Sequence, residues 1–308
     1  MNAPPASRPS VALGAFLIVV AFACVAVMSA LAKGAGSVPA SVLAFFQSAI
    51  SLVLLSPWAL RGGIRTLATK RLPLHLLRAG AGLLSQVLMF VAVKKMPLVN
   101  AVLLANSAPL FIPLVSRVWL KKPVRAPVLA GLGIGFVGVV LVLRPSLALF
   151  TNPVALIALA AAVCSAFALV SVNRLSETEP APRVLFYYFL VSTLASLPFA
   201  MLAWVAPTSI EWAFLGGIGL MMAASQVLIL QAYRHATASR IAAFNYAVVI
   251  FSGLIGWVVW KDAPGWLSLV GVLLVTTGGI LSTVFGGPRS TGHLGWLGFG
   301  NHPPAVTA

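Results

Sequence analysis

The chain has 308 residues, of which 60% are hydrophobic and only 8% are charged, and its mean hydropathy is +1.04. A soluble domain carries about a quarter of its residues as charged groups, so this composition excludes a soluble enzyme or binding module. The net charge of +16 would suggest nucleic acid in a soluble protein; here most basic residues lie in short breaks between apolar runs, so no nucleic-acid partner is expected.

The apolar runs predict membrane-spanning helices. A helix needs about 20 apolar residues to cross the hydrocarbon core, and residues 11–32 show none of the alternation of a membrane β-barrel strand. The predicted spans, in chain order, are residues 11–32, 39–60, 74–93, 97–119, 126–144, 153–173, 183–206, 211–233, 237–260 and 265–285. We therefore predict an all-α integral membrane protein with ten transmembrane helices embedded in the lipid bilayer.

The basic residues between these spans predict the orientation. With the N-terminus inside, fourteen basic residues face the cytoplasm and five face outward: inside are Arg8, Arg61, Arg65, Lys70, Arg71, Arg117, Lys121, Lys122, Arg125, Arg174, Arg183, Arg234, Arg240 and Arg289, and outside are Lys33, Lys94, Lys95, Arg144 and Lys261. Cytoplasmic loops of membrane proteins are enriched in Lys and Arg. Both termini are therefore predicted to be cytoplasmic.

The sequence contains an internal repeat. The tetrapeptide SQVL stands at 85–88 and again at 225–228, and residues 85–141 align without gaps on 225–281, an offset of 140 (225 − 85). Cys24 pairs with Cys164 at this offset, and residues 42–46 match 184–188 at an offset of 142. An odd number of helices per repeat predicts two inverted five-helix repeats. The predicted division is 1–10 cytoplasmic N-terminus, 11–145 first repeat, 153–285 second repeat and 286–308 flexible cytoplasmic tail.

Six polar side chains lie in the middle of predicted spans, where polar groups are costly and tend to face a cavity. They are Gln47, Gln86, Asn106, Gln226, Asn245 and Tyr246. Each amide can donate and accept hydrogen bonds, which suits a solute with mixed polar groups. Interhelical hydrogen bonding is the alternative interpretation of each residue.

Proline and arginine add three further candidates. Pro109 lacks an N–H and disrupts the helix near Asn106, and Pro113 lies four residues further on; these two prolines are candidate hinge residues, and a helix merely bent for packing is the alternative. Arg78 lies near the inner end of the third span. It either extends to the interface or anchors an anionic or zwitterionic substrate.

Small residues recur on two further helices. Glycines follow the spacing Gly131-x-x-x-Gly135 and then Gly138, and the ninth span has small residues on one face. Such stripes let helix backbones approach closely. We expect them to serve helix packing.

Nothing in the sequence indicates a catalytic centre, a metal site or a cofactor. The four His and four acidic residues have no ligand-like spacing, the P-loop pattern is missing, and Cys24 and Cys164 lie in apolar stretches. No Asp or Glu lies in mid-membrane, where proton-coupled carriers commonly place a relay. Facilitated diffusion, exchange and proton coupling therefore remain open.

The chain resembles the drug/metabolite transporter superfamily in its EamA-type ten-helix branch. The resemblance is carried by the segments 76–122 and 131–145 in the first repeat and 232–281 in the second. The family marks are Arg78, Pro109, Arg144-Pro145, Tyr246 and Asp262. Two positions depart from the pattern: Gln47 stands where family members usually carry Arg, and Lys122 stands where they usually carry Glu.

The resemblance implies a secondary transporter of a small organic metabolite or drug-like solute, working by alternating access in the plasma membrane, the inner membrane of a bacterium. A channel or non-transporting membrane scaffold is the alternative, and an enzyme is not expected. The expected partners are a small-molecule substrate and the bilayer, with a homodimer left open.

Overall fold

In the computed structural model, residues 11–121, 126–143, 153–235, 242–262 and 265–286 are described, and every regular element among them is helical. The α-helices are α1 (Val11–Gly34), α2 (Ala40–Ala59), α3 (Leu72–Lys95), α4 (Leu98–Ala105), α5 (Ala108–Leu120), α6 (Ala126–Leu143), α7 (Pro153–Ser176), α8 (Ala181–Leu202), α9 (Ser209–His235), α10 (Ala247–Trp260) and α11 (Trp266–Gly286). Two 3₁₀ helices span Ile64–Leu67 and Ala242–Tyr246. The predicted all-α class is confirmed; the predicted tail 286–308 and the segment 1–10 lie almost wholly outside the described residues.

Proline marks the start of several helices. Pro39, Pro97 and Pro180 precede α2, α4 and α8, and no side-chain hydrogen bond caps these helices. The fixed φ of proline suits a helix start, and its missing N–H costs nothing there because the first N–H groups of a helix have no internal partner. At these three helices, proline therefore marks the start that a polar cap would mark in a soluble protein.

The fourth predicted span, 97–119, is two helices rather than one. Helix α4 ends at Ala105, α5 begins at Ala108, and Asn106 and Ser107 lie between the two helices. Pro109 lies in the first turn of α5 and cannot donate to the carbonyl of Ala105. The expected disruption one turn before Pro109 is therefore present as a complete break.

The second repeat has an irregularity at the corresponding place. The 3₁₀ helix Ala242–Tyr246 gives way to α10 at Ala247, and Tyr246 aligns with Asn106 at the offset of 140 (246 − 106). Here no proline stands at the break. The described part of the predicted span 237–260 therefore also consists of two helical pieces.

Both of these spans end in the same backbone conformation. Lys121 follows α5 with φ 53° and Lys261 follows α10 with φ 59°, and they are the non-glycine residues with positive φ in the described part of the chain. A left-handed residue after the last turn is a common helix terminator, but it is uncommon for a lysine. Its occurrence at two positions 140 apart (261 − 121) supports the internal repeat.

Helix packing also follows the repeat. Helix α1 packs on α9, and its counterpart α7 packs on α3, the counterpart of α9. Helices α2 and α8, which correspond to each other, pack together, and so do α6 and α11. The contact of α1 with α9 thus has a matching contact of α7 with α3 in the exchanged repeats, as expected for two copies joined face to face.

Glycine allows the closest of these contacts, between α6 and α11. A Cβ on Gly138 would lie 2.7 Å from the carbonyl oxygen of Gly271, and a Cβ on Gly278 would lie 2.4 Å from that of Gly131. Gly138 and Gly278 are repeat counterparts, as are Gly131 and Gly271. The predicted packing role of the glycine stripe in residues 131–138 is confirmed, with α11 as the partner.

Length and composition identify seven membrane-spanning candidates among the described residues: Ala12–Gly34, Ala40–Ala59, Leu72–Lys95, Leu98–Trp119, Pro153–Ser176, Ala181–Leu202 and Ser209–Ala232. Shorter apolar helices cover Ala126–Leu141, Phe244–Trp260 and Trp266–Leu281. Large apolar side chains are exposed on the outer faces, such as Phe16, Phe199, Leu202 and Trp266. An apolar exterior of this kind requires lipid as its solvent.

Candidate functional site

Gln47 and Gln86 lie inside the helix bundle with unpaired polar atoms. The side chain of Gln47 on α2 is 1% exposed, and its Oε1 has no hydrogen-bond partner. Gln86 on α3 is half-buried, and its Nε2 is likewise buried without a partner. Since these two atoms have no hydrogen-bond partner on a neighbouring helix, they do not join helices together. Burying an amide atom without a partner is costly.

Gln226, the repeat counterpart of Gln86, has a weak local partner. Its Nε2 lies 3.9 Å from the Sδ of Met222, one turn earlier on α9. Helix α2 packs against both α3 and α9. The helix that carries Gln47 therefore adjoins both helices that carry the repeated glutamines.

Asn106 stabilises the helix break. Its backbone N–H donates to the carbonyl oxygen of Val102 at 2.9 Å, and its Nδ2 donates to the same oxygen at 2.8 Å. Ser107 also folds back locally, because its Oγ donates to the carbonyl of Leu104 at 2.6 Å. The Asn106 amide therefore caps α4, and its Oδ1 is the part of this group that could meet a solute.

Asn245 and Tyr246 lie where the second-repeat span changes its helical form. The Asn245 Oδ1 and the Tyr246 hydroxyl are buried without a hydrogen-bond partner, and Tyr246 is 7% exposed. The Tyr246 ring lies against α11, since a Cβ on Gly279 would sit 1.6 Å from its hydroxyl oxygen. Gly279 thus makes room for the end of the Tyr246 side chain.

Arg78 turns toward α8 inside the bundle. Its guanidinium carbon lies 4.1 Å from the centre of the Tyr188 ring, and its Nε is buried without a hydrogen-bond partner. A Cβ on Gly82 would lie 2.4 Å from the Nη1 of Arg78 and 2.7 Å from the Tyr188 ring. This placement favours the interpretation of Arg78 as an anchor over its extension to the interface.

Tyr188 and three neighbouring polar residues belong to this region, and the sequence analysis missed them. His75 is fully buried and its ring lies 4.6 Å from that of Tyr187, while Ser192 Oγ is buried without a partner one turn after Tyr188. Tyrosine and serine are ordinary in membrane helices. Comparison of the repeats could have found the two tyrosines, because Tyr187 and Tyr188 align with Phe45 and Phe46, which have no hydroxyl group.

One end of the bundle, where α1 connects to α2, is held by charged side chains. Lys94 Nζ donates to the carbonyls of Ala35 at 2.6 Å and Gly36 at 3.4 Å, and also to that of Val38. Both carboxylate oxygens of Glu211 are occupied: Ser37 donates to one at 2.6 Å through its Oγ, and Thr208 donates to the other at 2.9 Å. We call this the α1–α2 end.

An ion pair adds to the α1–α2 end. Lys33 Nζ lies 2.9 Å from Asp262 Oδ2 and donates to the carbonyl of Met96 at 3.2 Å. Asp262 is therefore tied to α1; its side chain is 33% exposed and that of Lys33 is 13% exposed. The pair joins the ends of α1, α3 and α10.

The opposite end, where α2 connects to α3, contains a second carboxylate network. Glu179 is 6% exposed, accepts a hydrogen bond from Thr69 at 2.7 Å and pairs with Arg183. Arg183 Nε donates to the carbonyl of Thr66 at 2.6 Å, and the Tyr187 hydroxyl donates to that of Leu67 at 3.0 Å. We call this the α2–α3 end; like the α1–α2 end, it is held by one buried glutamate.

Two cavities lie at the edges of the bundle. One of about 190 Å³ is lined by residues such as Trp58, Gly62 and Pro180 at the α2–α3 end. The other, about 340 Å³ and wholly apolar, lies between α1, α9 and α10 and is lined by residues such as Leu31 and Phe214. None of the candidate residues lines either cavity, so a shared central cavity stays a prediction.

The candidate residues are not bonded to one another. In the described ranges, no hydrogen bond joins any two of Gln47, Arg78, Gln86, Asn106, Gln226, Asn245 and Tyr246, and no group of three His, Cys, Asp or Glu residues could hold a metal ion. What the arrangement offers is a set of separate, buried donors and acceptors. Such groups can bind and orient a polar solute.

Comparisons with known proteins agree with this chemistry. A family model described as "EamA-like transporter family" matches residues 12–144 and again 152–284. The two matches begin 140 residues apart (152 − 12), the offset of the internal repeat. The repeat is therefore confirmed as two copies of one family domain.

Named relatives cover most of the chain. The pseudopaline exporter CntI of Pseudomonas aeruginosa (strain UCBPP-PA14) is 30% identical over 264 residues, which is 85% of this chain and 93% of the relative. The riboflavin transporter of Vibrio cholerae is 28% identical over 88% of this chain and 92% of its own. The S-adenosylmethionine uptake transporter of Rickettsia conorii is 26% identical over 76% of this chain and 79% of its own.

A solved crystal structure shares the fold. It superposes with a TM-score of 0.62 at 23% sequence identity, covering 91% of this chain and 98% of the other. The helical fold, the apolar exterior and the buried polar groups define a multi-pass integral membrane transporter of small metabolites. This chain belongs to the EamA-like transporter family.

Proposed function

We propose that the chain is a secondary carrier that moves a small organic metabolite by alternating access. The observation that carries this proposal is the set of buried, unpaired polar atoms on membrane helices: Gln47 Oε1, Gln86 Nε2, Asn245 Oδ1 and Tyr246 Oη. In lipid, such groups need a hydrogen-bond partner. A polar solute, bound and released in turn, is the partner that suits a transporter.

The proposed architecture is ten transmembrane helices in two inverted five-helix repeats, 11–145 and 153–285. The seven long spans and three shorter apolar helices bring the number to ten when α4 and α5 count as one broken span. Five spans in each copy make the second copy enter the membrane from the opposite side. Substrate sites of such carriers lie near the midplane where the repeats meet.

The proposed site contains Gln47, Gln86, Gln226, Asn245 and Tyr246, with Asn106 beside the break and Arg78 toward the α2–α3 end. Pro109 and Pro113 are proposed as hinge residues, since Pro109 follows the break and Pro113 lies inside α5. Helix breaks next to a site expose backbone groups that can bind a solute. No catalytic role is proposed for any of these residues.

The proposed location is the plasma membrane, the inner membrane of a bacterium, with both termini in the cytoplasm. The excess of basic residues in the α2–α3 connection supports this orientation, because Arg61, Arg65, Lys70 and Arg71 all lie there. Reporter fusions at the two ends test it: both reporters are expected on the cytoplasmic side. Reporters on opposite sides would require an odd number of spans and would contradict the inverted repeat.

Transport by the purified full chain in sealed proteoliposomes tests the function. The solute panel includes riboflavin and S-adenosylmethionine, which are named in the relatives. Saturable flux of at least one solute is expected, and Gln86→Leu and Gln226→Leu are each expected to lower kcat/KM by about tenfold, as loss of a buried hydrogen bond does.

Thr277→Val serves as the control, because Thr277 lies on the exposed face of α11 and its loss should leave flux unchanged. Folded protein in sealed vesicles that moves no member of the panel would contradict the carrier. Single-channel current steps would instead support the alternative of a channel.

A further inference from the structure

The guanidinium of Arg78 is held in place by its surroundings. It lies 4.1 Å from the centre of the Tyr188 ring, and its Nη1 lies against Gly82, where even a methyl group would come within 2.4 Å. Tyr188 is 5% exposed. A cation over an aromatic ring is stabilised by the ring quadrupole, but the ring does not accept hydrogen bonds in the guanidinium plane. The Nε atom correspondingly has no partner.

No carboxylate neutralises this cation. All four acids of the chain lie in the described part, where the ion pairs are Lys33–Asp262 and Arg183–Glu179. Glu211 accepts its hydrogen bonds from Ser37 and Thr208. Arg78 is half-buried, with a buried Nε. A cation without a counter-charge is costly in the membrane, so an anionic ligand would stabilise it.

Two further unpaired polar atoms lie along the same pair of helices. Gln86 is two turns after Arg78 on α3, and Ser192 is one turn after Tyr188 on α8; the Nε2 of one and the Oγ of the other are buried without partners. Helices α3 and α8 pack together. Tyr188 and Ser192 are four residues apart and share one face of α8, and Gln86 lies further along the helix that carries Arg78.

The second copy of the domain provides an internal comparison. At the equivalent interface, α9 with α2, the positions of Arg78, Gly82, Tyr188 and Ser192 are occupied by Ile218, Met222, Phe46 and Ile50. Gly219 lies against Ile50 there, and α9 packs on α2 as α3 packs on α8. Because apolar residues occupy these four positions in one copy, the fold does not require Arg78, Tyr188 and Ser192 in the other.

We propose that Arg78 binds an oxyanion, a carboxylate or phosphate group, of the transported solute, with Gln86 and Ser192 as polar neighbours. The planar guanidinium matches the two oxygens of such a group. Only one repeat carries the cation, so the solute binds with its anionic group toward the α2–α3 end. This assignment rests on the proposed transport function and specifies the class of solute.

Thermal unfolding of the purified full chain in a non-ionic detergent tests the assignment. Sodium succinate and sodium phosphate are the probes, with succinamide and NaCl of equal ionic strength as controls. A saturable rise of roughly 2–4 °C in Tm is expected with succinate or phosphate only. Arg78→Ile, which installs the residue of the second copy, should abolish this rise. Arg78→Lys, which keeps the charge but loses the planar fork, should weaken the apparent affinity about tenfold.

Arg174→Gln is the matched control, because it removes one exposed positive charge in the last turn of α7 and should leave the rise intact. A wild-type protein that no oxyanion stabilises beyond the controls overturns the assignment, as does an equal rise in Arg78→Ile. Should Arg78→Ile fail to fold, Arg78→Lys decides between these outcomes.

A lipid headgroup is the competing source of phosphate. The same variants are compared in nanodiscs of phosphatidylcholine with and without phosphatidylglycerol. One outcome would assign Arg78 to lipid and overturn the solute site. In that outcome the anionic lipid stabilises the wild type but not Arg78→Ile, and neither succinate nor free phosphate has any effect. The chain could also transport an uncharged solute at a rate that Arg78→Ile does not change. This result would overturn the anion site and would still support the carrier function.

Discussion

Lys94 and Lys95 are neighbours in the last turn of α3, yet their surroundings differ. Lys94 is half-buried and donates to backbone carbonyls of the α1–α2 connection, whereas Lys95 is exposed. Residues 35–38 form no helix, so their carbonyls lack helical partners. A single ammonium group, with its three donors, therefore replaces the hydrogen bonds that regular structure would provide to this connection.

Lys94→Met is expected to loosen the α1–α2 connection. The carbonyls of Ala35, Gly36 and Val38 lose their donor, and the free energy of unfolding should fall by about 1–3 kcal/mol. Hydrogen exchange at the amides of residues 35–38 should become faster. Lys95→Met is the control and should change neither quantity; equal exchange in both variants would contradict the bonding role of Lys94.

At the scale of elements, α6 and α11 form a contact that depends on the absence of side chains. The Gly138 and Gly278 Cα atoms face backbone atoms of the other helix, which cannot move aside as a flexible side chain can. Apolar side chains gain nothing by leaving lipid for a helix interface, so close van der Waals contact is what holds membrane helices together. The fifth spans of the two copies are thereby joined.

Gly138→Ala is expected to push α6 and α11 apart. Its Cβ would lie 2.6 Å from the backbone N of Val275, and such overpacking costs about 1–3 kcal/mol. Thermal unfolding in detergent measures the loss. Gly133→Ala on the same helix is the control, because nothing lies within 4 Å of its added Cβ. It should be neutral or stabilising, since alanine favours helix over glycine.

At the scale of the whole molecule, each end of the bundle is closed by one buried glutamate. Glu211 joins residue 37 of the α1–α2 connection to Thr208 before α9, and Glu179 joins residue 69 of the α2–α3 connection to the start of α8. The loops at each end come from both repeats. Alternating access would require these two closures to open in turn.

Glu211→Gln and Glu179→Gln are expected to open opposite ends. Each amide leaves at least one donor unpaired, and a change of about 1 kcal/mol alters the open fraction roughly fivefold. A reporter cysteine at the buried Ser48, with Cys24 and Cys164 replaced by alanine, is labelled with an impermeant maleimide from either side. Glu211→Gln should speed labelling from outside and Glu179→Gln from the cytoplasm.

Glu177→Gln is the control for this experiment, because Glu177 is exposed near the same end as Glu179. Its labelling rate should equal that of the parent from both sides. If both glutamate variants sped labelling from the same side, the two networks could not be opposing closures.

Sequence alone determined the class, the helix positions and the duplication. Apolar runs fix where helices lie in lipid, because every backbone group of a span must find its partner within the helix. Pro109 also located the break beside Asn106, since a missing N–H acts locally. These features depend only on residues near one another in the chain, and the repeat at an offset of 140 residues is visible in the amino-acid sequence itself.

Only the tertiary structure decided which polar groups lack partners. Asn106 and Gln86 look alike as amides in apolar runs, but the first caps its own helix while the second has a buried, unpaired Nε2. The partner of Arg78, Tyr188, lies 110 residues away (188 − 78) on a helix that contacts α3 only after folding. Burial and hydrogen-bond partners depend on how helices pack, and helix packing in lipid depends on close shape complementarity that hydropathy does not encode.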